Sequence, residues 1–188
     1  MSLTRPARPR PTKADLLAAH GRAIPDVLAP GLAVVFCGIN PGLWSAATAH
    51  HFARPGNRFW PALHLSGFTP RQFQPAEQAL LLDLGLGITN VVARATARAD
   101  ELTPLEFVDG GQRLVEFVRQ WRPKFLAVVG LGAYRTAFAS PKAVVGLQPE
   151  TIGDTRLWAL PNPSGLNAHY QLPQLAEEFG KLRAVSVR

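Results

Sequence analysis

The residues from Leu32 to Ile39 form a short, almost unbroken apolar run rich in valine. Such a run is too short for an ordinary helix and has the pattern of a strand buried on both faces. Three later runs resemble it, over Ile88 to Val92, Phe125 to Gly130 and Leu157 to Leu160, each ended by turn-forming or polar residues. Helical spacing falls between them. Thr103-Pro104-Leu105-Glu106 combines a capping box with proline at the first helical position and predicts a helix running to about Trp121, with Gly110-Gly111 weakening its middle. Shorter helices are predicted at Asn57 to Leu65, Pro75 to Asp83, Gly132 to Ala139 and Leu172 to about Arg183, and no internal repeat is present. Near the start, Leu16, Leu17, Ala18, Val27 and Leu28 suggest a helix from Lys13 to Leu28 interrupted at Pro25 and closed by Pro30-Gly31.

Strands alternating with helical segments predict an α/β fold, a three-layer α/β/α sandwich around a mostly parallel sheet. Sheets of this kind place their sites beyond the carboxyl ends of the strands, so chemistry is to be sought just after each apolar run.

The 188 residues are enough for one core and divide into a basic tail over 1–13 and a single domain over 14–188. Twenty Lys and Arg against thirteen Asp and Glu give a net charge of +7, the balance of a protein that approaches a polyanion. Arg5, Arg8, Arg10 and Lys13 supply +4 of it. With Pro6, Pro9 and Pro11 interleaved, that tail has little apolar surface to bury and is expected to be disordered. No secretory-type apolar region and no run of membrane-spanning length occurs, so a soluble protein is expected. The single cysteine, Cys37, excludes an internal disulfide and fits a reducing, cytoplasmic setting.

Gly38-Ile39-Asn40-Pro41-Gly42 follows the first strand, and Pro161-Asn162-Pro163-Ser164-Gly165-Leu166 follows the last. Either could be a simple tight turn, with Asn40 capping its own turn or the next helix. Two asparagine-proline turns at matching strand ends point instead to a site. Asp83, just before the second strand, is a further candidate to orient water if it faces the cleft, or else a solvated helix end.

The GINPG motif, a phenylalanine twelve residues after its asparagine, then Asn57-Arg58-Phe59-Trp60 and the late NPSGL together resemble the mismatch-specific uracil and thymine DNA glycosylases, in the bacterial branch. The similarity runs from about Val27 to the last helix. It implies a uracil-DNA-glycosylase-like fold and a monomeric enzyme that flips uracil, or a related pyrimidine, from mismatched double-stranded DNA and hydrolyses its glycosidic bond. No membrane partner is implied. Asn40 would then position the attacking water, since an amide oxygen orients water without acting as a strong base. Phe52 would stack on the flipped base, in a pocket with Ile39, Gly42, Ser45, Asn90 and Asn162. Leu166 would wedge into the duplex, with Ser164, Gly165 and Asn167 contacting the backbone around it. The chain departs from the bacterial pattern at Trp44, where a small residue is usual, at Asn90, where some members carry lysine, and at Asn167, where serine is common.

His50-His51 lacks further ligands at metal spacing, and no phosphate-loop or dinucleotide fingerprint is present, so neither metal nor cofactor is expected. Cys37 and Trp60, Trp121 and Trp158 read as packing residues, and His169 as a phosphate contact or a surface residue. Two other classes fit the same sequence. A noncatalytic module binding distorted DNA would share the fold and the wedge, and a hydrolase of small nucleosides would need neither wedge nor tail.

Overall fold

The computed structural model describes residues 10–187, so the tail reading lies outside the described residues at positions 1–9. Thr12 caps the first helix, α1 (Lys13–Ala18), through a capping box with Asp15. This helix ends far short of Leu28. Val27 instead exchanges two backbone hydrogen bonds with Ile88, which holds residues 25–28 extended, and Pro25 offers no N–H to continue a helix.

The remaining order is β1 (Val34–Gly38), α2 (Leu43–Thr48), α3 (Phe59–Leu65), a 3-10 segment at Pro75–Leu84, β2 (Leu86–Asn90), α4 (Pro104–Trp121), β3 (Phe125–Val129), α5 (Leu131–Ala137), β4 (Gly146–Ile152), β5 (Thr155–Leu160) and α6 (Leu172–Ser186). A further 3-10 turn spans Ala99–Glu101. All four predicted strands form, with β2 starting two residues earlier than its apolar run. The predicted helix over 75–83 is 3-10 in geometry. Helix α2 and strand β4 carried no usable pattern. In β4 the sequence GLQPETI buries only Gln148 and contains Pro149, as suits a bulged edge strand.

The five strands run in the order β2-β1-β3-β5-β4, parallel except for β4 against β5. One face packs Phe36, Ile88 and Leu160 against Phe59 and Leu63 of α3 and Phe179 and Leu182 of α6. The other packs Val35, Val128 and Leu157 against Leu114 and Val118 of α4 and Tyr134 of α5. The result is the α/β/α sandwich the pattern predicted. The Gly110-Gly111 pair has a packing reason: a methyl at Gly110 would meet the Val91 carbonyl oxygen at 2.4 Å, and one at Gly111 the Ala137 carbonyl oxygen at 1.9 Å. Side-chain-free positions let α4 lie directly on the end of β2 and on α5.

Candidate active site

β1 is flanked on both sides by parallel neighbours, and its carboxyl end opens into the cleft expected where the chain order reverses. Its pairing with the residues after β2 continues past the strands: Val91 N–H donates to Gly38 O, Val92 N–H to Ile39 O and Thr96 N–H to Pro41 O. These bonds pin the GINPG loop against residues 91–96. Asn40 Nδ2 donates to Arg94 O at 2.9 Å and to Thr96 Oγ1 at 2.8 Å. A backbone carbonyl only accepts, so the amide nitrogen must face it, and no described residue donates to Oδ1. The helix that follows is capped by Gly42 without any side-chain bond, so Asn40 is not a cap.

Asn40 lines a cavity of about 110 Å³ with Gly42, Ser45, Phe52 and Asn90, and with Ile24, His51, Arg54 and Asn57. Phe52 has φ +52°, an uncommon conformation for a bulky residue, and Ser45 Oγ secures the bend by accepting from Ala53 N–H. Its ring stacks on Phe59 with centroids 3.9 Å apart and planes 16° from parallel. Asn90 lies opposite Gly38 in the β1–β2 register, and a methyl on Gly38 would stand 2.6 Å from Asn90 Oδ1 and 3.2 Å from the Phe52 ring. Glycine is needed there so that both side chains can close over the strand end.

Beside this cavity lies a groove of about 550 Å³ whose lining includes Arg98, Asn162, Ser164, Leu166, Asn167 and His169; Arg54 lines both spaces. Between β5 and α6 the chain forms an irregular loop, with Leu166 79% exposed on it. Asn162 Oδ1 accepts from Ser164 N–H, Ser164 Oγ from Leu166 N–H, and Asn167 Nδ2 donates to Asn162 O.

This placement of the Asn40 amide beside the stacked Phe52 ring is accompanied by a match over nearly the whole fold: the uracil DNA glycosylase superfamily model covers residues 25–183. The chain belongs to the uracil DNA glycosylase superfamily. Its fold is also that of a solution NMR structure from Methanosarcina acetivorans, provisionally described as a uracil DNA glycosylase. That likeness has a TM-score of 0.60 at 17% identity, over 87% of this chain and 97% of the other.

In this superfamily member, the expected pocket residues Gly42, Ser45, Phe52 and Asn90 come together around Asn40. Ile39 and Asn162 do not join them. The Ile39 side chain turns toward Gly130 and the α4–α5 core, and Asn162 belongs to the groove and ties its own loop. Asn167 closes that loop rather than reaching outward, also accepting from His169 N–H. Gly165 lies close to the Gly56 backbone, where an added methyl would stand 3.0 Å from Gly56 O, a tight contact. Trp44 is half-buried on α2 and does not line the cavity, and Ser45 supports the Phe52 bend.

Asp83 is exposed at the end of the 3-10 segment, before the amino end of β2. Asn40 lies past the carboxyl end of β1, so the two are on opposite edges of the sheet, and Asp83 has no place in the cleft.

His51 is the residue the sequence concealed. Its ring is buried, with Nε2 3.0 Å from Pro25 O and Nδ1 3.3 Å from Asn90 Nδ2. The carbonyl requires the proton on Nε2, which makes Nδ1 the acceptor that orients the Asn90 amide. Burial, with a smaller contribution from His50, pushes the His51 pKa down to about 4 against the Pro25 hydrogen bond, so the ring is neutral at physiological pH. Only the adjacent histidine pair hinted at it. Among the described residues no group of three or more His, Cys, Asp or Glu is arranged to hold a metal ion.

Proposed function

We propose that this chain is a monofunctional, mismatch-directed DNA glycosylase. It flips uracil or a similarly altered pyrimidine from a G·U or related mispair and hydrolyses the bond between base and sugar. The carrying observation is the Asn40 amide, whose nitrogen is consumed by Arg94 O and Thr96 Oγ1 while Oδ1 is left at the cavity beside Phe52. Oδ1 would accept from a water and aim its oxygen at C1′ of the sugar. As the new C–O bond forms, the C1′–N1 bond breaks with its electron pair leaving on the base, and the water's proton passes to solvent. The Oδ1 dipole also favours cationic character on the sugar. Orientation without a strong base makes for slow turnover that favours good leaving groups. Among the described residues that line the cavity there is no lysine to attack the sugar as an amine, which supports plain hydrolysis.

Phe52 would grip the flipped base by stacking, Asn90 would meet its polar edge, and Leu166 would fill the space the base leaves. A mispair is favoured because its unpairing cost is already lowered. The deciding experiment is single-turnover release of uracil from a G·U duplex by wild type, Asn40→Ala and Asp83→Ala. Release lost with Asn40→Ala alone is expected. Full release by Asn40→Ala would remove the water-positioning role, and mismatch binding without release by the wild type would leave a binding module.

A further inference from the structure

We infer that Arg58 is a positioning residue that templates the wedge loop, setting where Leu166 stands. The inference rests on the glycosylase reading for what the loop does, and on geometry for how the loop is held. Residues 161–171 lie in neither helix nor strand. Their own bonds, such as Asn162 to Ser164 and Asn167 to Asn162, join residues two to five apart and cannot fix the loop against the rest of the fold. Among the described residues, every hydrogen bond joining 161–170 to a part of the chain outside 161–171 comes from Arg58.

A guanidinium carries five N–H donors in a rigid fork, and here each has its own acceptor. Nε donates to Pro163 O at 3.4 Å, and Nη1 to Tyr170 O at 2.7 Å and Gln171 Oε1 at 3.4 Å. Nη2 donates to Asn167 O at 3.0 Å and to Ser164 O. The Arg58 backbone N–H adds a bond to Pro163 O. Four carbonyls spread over eight residues thus converge on one planar group, bracketing Leu166 on both sides. The fork is itself fixed, because the next two residues, Phe59 and Trp60, are buried at the start of α3. No carboxylate pairs with Arg58 among the described residues, so its charge is balanced by carbonyl dipoles alone and its use is geometric. Lysine keeps the charge but has three donors on one nitrogen, and cannot span these acceptors.

Arg58→Lys and Arg58→Gln, each alone and combined with Leu166→Ala, test this by two readouts. The first is amide hydrogen exchange of the folded proteins. Exchange at Ser164, Leu166, Asn167 and His169 should quicken by about 10-fold or more in both Arg58 variants, with the sheet amides unchanged. The second is a double-mutant cycle on single-turnover release from a G·U duplex. Each single variant should slow release by about 10-fold, and the double variant by little more, because both changes remove the same positioned wedge. Wild-type loop protection in Arg58→Lys, full rescue of rate by lysine, or factors that multiply in the double variant would each overturn the inference. A wild type that binds DNA but releases no uracil would sink the functional reading alone, and the exchange readout then decides the role of Arg58.

Discussion

Asn40 illustrates how two neighbours fix the orientation of a weakly polar group. Arg94 O holds the amide nitrogen, and Arg94 is itself held by Glu106, whose carboxylate the guanidinium keeps down at about pKa 2 while it caps α4. Thr96 Oγ1, donating its own proton to Arg98 O, must accept from Asn40. Thr96→Val removes that acceptor and lets the amide turn; losing about 1 kcal/mol of orienting energy should slow base release by about 5- to 10-fold with the melting temperature little changed. Gly38→Ala should be worse for activity than for folding, since its methyl would drive Asn90 and Phe52 into the cavity; single-turnover rate beside a denaturation curve separates the two.

His51 adds a pH dependence. Its folded pKa of about 4 lies below the ordinary 6.5, so the unfolded chain binds the proton more readily. The stability that comes from keeping His51 neutral is complete above pH 6.5 and is lost as pH falls toward 4, by about 3 kcal/mol at the acid end. Denaturant midpoints at pH 7 and pH 5 should differ in wild type, and much less in His51→Gln.

At the scale of elements, α4 shows a local preference yielding to packing. Alanine is the better helix former, by about 1 kcal/mol per glycine replaced. Yet Gly111→Ala puts a methyl 1.9 Å from the Ala137 carbonyl, and the helix can relieve it only by backing away from α5 and β2. A net loss of about 3 kcal/mol is expected, seen as a melting temperature lower by roughly 6 to 12 °C. The same retreat would move Arg113, which donates to the Asn90 and Val91 carbonyls, so base release should fall as well.

Across the whole molecule, the sheet separates two edges that the sequence could not tell apart. Asn40, Asn90 and the loop that carries Leu166 gather at one, while Asp83 lies beyond the other. Asp83→Asn should therefore release uracil at the wild-type rate. Leu166→Ala should slow release more from a stable A·U pair than from a G·U mispair, because a mispair needs less help to stay open. An equal slowing on both would remove the wedge.

Features written in neighbouring residues were legible in the sequence. The four buried strand runs, the Thr103 capping box, and the asparagine-proline turns at strand ends all express backbone preferences or burial patterns spanning a few positions. What depends on distant partners was not. Val27 is extended because Ile88 is beside it, and β4 is a strand because β5 offers it an edge. His51 reaches Asn90 across 39 positions, and Arg58 reaches the loop after β5 across more than a hundred. The sequence by itself determined the layers, the order of the buried strands along the chain and the asparagine-proline turns that follow two of them. Only the tertiary structure decided which side chains meet, because the hydrogen bonds that orient them join residues whose separation along the chain carries no periodic or capping signal.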